Sequence, residues 1–137
     1  HIPFENFDIH DGIPILLEIP AIYNKLIERR RGGFCYELNG LFGALLQQLG
    51  FRVDYVSARV AQEQQPYSPA FDHLALLVYF EQETYLSDVG FGDFTFGPLL
   101  LQLDEPQIDA CGTFVISRFD ADHLLVSKQV ADQLAPE

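Results

Sequence analysis

Two periodicities divide the hydrophobic positions of this chain, and the change between them falls at Gly50. Ahead of it, Ile19, Ile22 and Leu26 stand at helical spacing around Pro20, which suits a first helical turn. The basic run Arg29-Arg30-Arg31 follows, where it complements the negative end of a helix dipole, and Gly32-Gly33 breaks the helix. Leu38, Leu41, Phe42, Leu45, Leu46 and Leu49 then form one apolar face, which predicts a helix of about fourteen residues closed by Gly50. The opening, residues 2–14, mixes prolines and a glycine with large apolar side chains and reads as an ordered, irregular connection.

Beyond Gly50 the period moves towards two. Segments 51–60, 71–80, 84–89, 113–119 and 124–129 are rich in Val, Phe, Tyr, Leu and Ile and are separated by polar or turn-forming stretches. Strands without long helices between them imply an antiparallel sheet or barrel. The fold class expected is therefore α+β: a partial helical domain over 1–50 and a β-barrel domain over 51–137. Residues 74–80 are apolar at both parities, so that strand is expected to be covered on both faces. The polar stretch 62–66 lacks strand pattern and is the linker expected to tolerate cutting best.

Composition narrows the possible partners. A hydrophobic content of 48% with 20% charged residues suits a packed core rather than disorder. The 20 acidic against 8 basic side chains, a net charge of −12, leave no basic stripe for phosphate backbones, which argues against nucleic acid and anionic membranes as partners. The apolar runs fall well short of the ~20 residues that span a bilayer, and no signal-peptide pattern opens the chain, so a soluble, cytoplasmic protein is expected. Cys35 and Cys111 lie far apart in unlike contexts, neither a disulfide framework nor a metal pair, and no histidine pair has metal-ligand spacing. The chain starts at His1 and contains no Met, which reads as a shortened start.

Candidate chemistry concentrates at Arg31-Gly32-Gly33-Phe34-Cys35-Tyr36-Glu37-Leu38-Asn39-Gly40. A cysteine in the first turn of an amphipathic helix meets unpaired backbone N–H groups and the positive dipole end, which favour thiolate over thiol. Such a residue is either a small buried side chain or a nucleophile. The two preceding glycines favour the second by letting a substrate approach the sulfur. A thiolate that transfers acyl groups needs a base and an orienting carboxylate. Of the four histidines, His73 opens the most hydrophobic strand, where imidazole is a satisfied core residue or a base. Asp88 shares a strand face with Leu86, a poor place for an unpartnered acid, and a hairpin would return it alongside His73. The acids at 81, 83, 104, 105, 120 and 122 are most simply solvated turns.

The blocks Ile-Pro-Phe-Glu-Asn-Phe-Asp, Arg-Gly-Gly-Phe-Cys-Tyr-Glu-Leu-Asn-Gly, the His73 strand and Asp-Val-Gly-Phe-Gly resemble, in order, the landmarks of the arylamine N-acetyltransferases. The resemblance covers residues 2–98 and is loose beyond. It implies a papain- or transglutaminase-like core in which Cys35 is the nucleophile, His73 the base and Asp88 the orienting acid. Acetyl-CoA would be the acetyl donor and an arylamine, arylhydrazine or arylhydroxylamine the acceptor, in a ping-pong route of xenobiotic metabolism without a metal. Phe34 and Phe91 would line the substrate cleft; Arg31 and Glu37 would form a supporting ion pair beside Gly32 and Gly33. The family's chains are longer at both ends, and the third, C-terminal domain is expected to be absent. A polyanionic coenzyme would find Arg52, Arg59, Arg118 and Lys128 as the cations outside the helical part. Two other readings stand beside this one, an amide synthase of the same family and an inactive interaction module, and exposed apolar surface would favour self-association.

Overall fold

A computed structural model describes residues 2–62, 67–130 and 133–136; most of the predicted linker, residues 63–66, lies outside the described residues. The irregular opening holds a single helical turn, α1 (Phe7–His10). The predicted first helix is split: α2 (Ile19–Tyr23) runs into a π-helical turn, Asn24–Glu28. Ile22 and Leu26 point inward as their spacing requires, whereas Ile19 remains exposed. The fourteen-residue helix is α3 (Cys35–Gln48), and Gly50 beyond it takes the left-handed conformation, φ +94°, that a residue with a Cβ avoids.

Among the described residues eight strands follow: β1 (Arg52–Ala58), β2 (His73–Phe80), β3 (Glu83–Ser87), β4 (Leu99–Leu100), β5 (Gln107–Asp109), β6 (Gly112–Arg118), β7 (Leu124–Val130) and β8 (Gln133–Pro136). They form two antiparallel four-stranded sheets, β1-β2-β3-β4 and β5-β6-β7-β8. The α+β class thus holds, with helices first and antiparallel sheets after them, and the strands are arranged as two sheets. The five predicted strands correspond to β1, β2, β3, β6 and β7. The short β4, β5 and β8 carry too few residues to show a period.

Among the described residues, three apolar clusters hold these elements. Leu38 and Leu41 of α3 close over Ile22 and Leu26; Phe42 and Leu46, further along α3, pack on Val53, Leu76 and Val78 of the first sheet. Fully burying one such side chain contributes about 1.5–3 kcal/mol. Where α3 crosses β1, a Cβ on Gly43 would lie 2.6 Å from the Tyr55 hydroxyl, so the helix approaches the sheet through a bare backbone. Leu45 and Leu49, on the outer edge of the predicted face, stay exposed. The third cluster, Phe94, Leu99, Phe114 and Ile116, joins the two sheets.

Candidate active site

The site is assembled where the start of α3 meets the start of β2. Phe34 is extended ahead of α3 (φ −89°, ψ 178°), and the Glu37 carboxylate accepts its N–H at 3.2 Å, satisfying one of the free donors of the first turn. Cys35 follows as the first helical residue, 5% exposed, its sulfur 3.9 Å from the Asp72 carbonyl oxygen. Cys35 and Cys111 are both free thiols.

The tight connection between β2 and β3 places Glu81 in the left-handed region, φ +54°, and sets a register in which Leu76 faces Ser87. Asp88 therefore leaves β3 beside the beginning of β2. His73 Nε2 donates to Asp88 Oδ2 at 2.5 Å. Burial by itself would lower the affinity of His73 for a proton. The Asp88 carboxylate and the neighbouring Cys35 outweigh it and raise the imidazole from its ordinary 6.5 to about 9. Phe91 stands edge-on against the ring, centroids 5.3 Å apart. His73 is thus bonded to Asp88 and has Cys35 as a neighbour.

Asn39 belongs to this group, and the motif reading passed over it. It is fully buried. Its Nδ2 donates to Asp88 Oδ1 (2.8 Å) and to the Leu74 carbonyl (2.7 Å), and its Oδ1 accepts the Val89 N–H (2.9 Å). The signal was present: an amide four residues after Cys35 lies on the same helix face as the sulfur, among apolar positions where it requires partners. Gly90 completes the arrangement. Its N–H donates to Asp88 Oδ1 at 2.8 Å, and a Cβ there would come within 2.7 Å of Cys35 Cα.

Two expectations are corrected. Arg31 and Glu37 do not pair with each other: Arg31 bonds Glu5 (2.7 Å) and Asp8 (2.8 Å), while Glu37 bonds Lys25 (2.9 Å), which also reaches Asp8 (2.8 Å). The π-helical turn carries Lys25 under α3, between the two acids, so a four-carbon ammonium occupies the position that the expected guanidinium would need. Asp8 and Arg31 respond to this pairing, the first held below the usual carboxylate range by Lys25 and the second raised by Asp8. Gly32 and Gly33 do not leave room for a substrate. A Cβ on Gly32 would lie 2.4 Å from the Pro3 carbonyl oxygen and one on Gly33 2.9 Å from Leu26, because the opening segment pairs through Phe4 with Gly33. Phe34 stacks on Tyr36 at 5.6 Å.

A cavity of about 970 Å³ lies between the sheets. Leu77 of β2, Ile116 of β6 and Val126 of β7 face into it, and His73, Asp88 and Phe91 form the wall beside the site. Of the four cations noted in the sequence, Arg59 reaches this cavity, Lys128 pairs with Asp93 at 3.3 Å, and Arg52 stacks on Tyr79 at 4.2 Å. The loop after Phe91 is held by Asp109, whose carboxylate accepts the N–H groups of Phe96 (3.1 Å), Gly97 (3.0 Å) and Cys111 (2.8 Å); these bonds hold the acid below its ordinary range. Among the described residues, no group of three or more His, Cys, Asp or Glu side chains is placed to hold a metal, and no helix is long and apolar enough to cross a membrane.

A cysteine-bearing helix packed against antiparallel sheets defines an α+β protein. The N-acetyltransferase family model matches residues 1–136. The chain is 40% identical over 133 residues to an arylamine N-acetyltransferase of Mycolicibacterium smegmatis, an alignment covering 93% of this chain and 48% of that relative. Among solved structures, the Salmonella typhimurium arylamine N-acetyltransferase superposes with a TM-score of 0.91 at 34% identity, over 98% of this chain and 49% of that one. The Mycobacterium marinum enzyme in complex with CoA superposes with a TM-score of 0.88 at 39% identity, over 98% and 52%. The chain belongs to the arylamine N-acetyltransferase family. It spans about half the length of these relatives.

Proposed function

We propose that this chain carries the acetyl-transfer centre of an arylamine N-acetyltransferase, with Cys35 as nucleophile, His73 as proton carrier and Asp88 as the acid that orients it. The observation that carries the reading is the His73 Nε2–Asp88 Oδ2 bond of 2.5 Å, made by a ring that also neighbours Cys35. A thiolate next to an imidazolium is a nucleophile that needs no further deprotonation. In the first half-reaction the Cys35 sulfur attacks the acetyl carbonyl of acetyl-CoA. A new C–S bond forms, the bond to the coenzyme sulfur breaks, and His73 supplies the proton with which CoA leaves. In the second, an aromatic amine, hydrazine or hydroxylamine attacks the thioester through nitrogen or oxygen. His73 takes the proton lost by the acceptor, and Cys35 leaves as thiolate.

The same reading divides the chain into a helical unit over 1–50 that brings the nucleophile and a β unit over 51–137 that brings the base and its acid. Phe91, edge-on to His73 and on the cavity wall, is the aromatic surface against which an acceptor ring would rest. Free Cys35 and Cys111 suit the reducing cytoplasm, where such an enzyme would meet foreign amines.

The test is covalent. The purified chain is incubated with acetyl-CoA, and in parallel with p-nitrophenyl acetate, a donor that requires no coenzyme pocket, then digested and analysed by mass spectrometry. One acetyl group on the peptide containing Cys35, lost in Cys35→Ala and retained in Cys111→Ser, is the expected outcome. Labelling of Cys111 alone, or equal labelling after the Cys35 substitution, would overturn the assignment.

A further inference from the structure

One buried side chain touches all three of the elements that carry the site, and resting on the reading above we propose that Asn39 is a positioning residue that fixes the carboxylate of Asp88 for its bond to His73. Asn39 lies on α3, one turn beyond Cys35. Its amide donates to the Leu74 carbonyl, next to His73 on β2, and to Asp88 Oδ1, while its carbonyl accepts the N–H of Val89, next to Asp88. The amide is held at 2.7, 2.8 and 2.9 Å from these three groups, so its orientation is set by the fold rather than by rotation.

The consequence falls on the carboxylate. Asp88 Oδ1 is engaged by Asn39 and by the Gly90 N–H, and this leaves Oδ2 as the oxygen aimed at His73 Nε2. Without the Asn39 donor, the carboxylate keeps one neutral backbone donor on Oδ1 and gains freedom to turn about its χ2. The groups facing His73 are Asp88 from the loop after β3, Cys35 from α3 and the apolar ring of Phe91. Of these, Asp88 supplies the fixed negative charge, so its loss of aim is read directly as a loss of proton affinity at the imidazole. An orienting amide of this kind does not touch substrate and acts through its neighbour.

The experiment follows the ring protons of His73 by NMR across pH in the whole chain, the resonance being assigned by its absence from His73→Gln. In wild type the midpoint is expected well above that of an ordinary histidine. Asn39→Ala is expected to lower it by about one pH unit, the size expected for one hydrogen bond to a charged group. Asn39→Asp keeps the shape and the acceptor for Val89 but sets an oxygen against Asp88 Oδ1, and is expected to disturb the midpoint as strongly. Ser68→Ala, which removes another buried hydrogen bond (Ser68 Oγ accepting the Val60 N–H) that does not involve Asp88, controls for general destabilisation; it is expected to lower the melting temperature and leave the His73 midpoint unchanged. A raised wild-type midpoint that both Asn39 variants preserve would overturn the positioning role alone. An ordinary midpoint in wild type would instead remove the anchored pair and with it the functional reading, and equal shifts in Ser68→Ala would reduce Asn39 to a structural residue.

Discussion

His73 shows how a single side chain couples the site to the stability of the chain. Its folded-state value of about 9 stands above the ordinary 6.5 because Asp88 and Cys35 offset the cost of burial. Between those two values the native state holds a proton that the unfolded chain releases, so stability falls as pH rises. The contribution is fully present below about 6.5 and is lost on passing through about 9. Chemical denaturation at a series of pH values is expected to show this loss in wild type and a flatter profile in His73→Gln. Identical profiles for the two would mean that the imidazole is not held as a cation. Residues of this kind were legible in the sequence wherever chemistry and pattern disagreed: an acid on an apolar strand face, a histidine opening the most hydrophobic strand. Asn39 disagreed with its pattern in the same way, but its three partners come from segments remote in sequence and emerge only when β2 and the Asp88 loop are folded against α3.

At the scale of elements, the long periods were readable and the short ones were not. Helix α3 declared itself through Leu38, Leu41, Phe42 and Leu46, because a fourteen-residue element repeats its apolar face often enough to be seen. Strands of two or three residues, such as β4 and β5, repeat nothing, and their pairing is decided by neighbours already in place. The π-helical turn was equally hidden, and it decides how the site is supported, since it delivers Lys25 to Asp8 and Glu37. Replacing Lys25 by Met would leave the Glu37 carboxylate, 2% exposed in the first turn of α3, without its cation. The expected cost is about 3 kcal/mol or more, read as a fall of roughly 10 °C in melting temperature. An unchanged melting temperature would show that the buried network contributes nothing net. An exposed pair such as Arg52–Asp54, at 3.7 Å, is expected to contribute at most about 1 kcal/mol by comparison.

For the molecule as a whole, α3 carries Cys35, β2 carries His73 and the loop after β3 carries Asp88. These elements meet through the buried Asn39 bonds and the close approach of Gly90 to Cys35. The acidity of the chain is informative at this scale too. A net charge of −12 gives the chain little general attraction for polyanions, and Arg59 stands on the cavity wall. The central claim, that an acetyl group passes through Cys35 to an aromatic nitrogen, is tested most directly by a chase. Protein acetylated at Cys35 is separated from donor and mixed with an aromatic amine, and both partners are followed by mass spectrometry. The account predicts that acetyl leaves Cys35 as N-acetylated amine appears in equal amount, and that amine concentration sets the rate. An acetyl group that stays on Cys35, or departs as acetate at the same rate with and without amine, would contradict it.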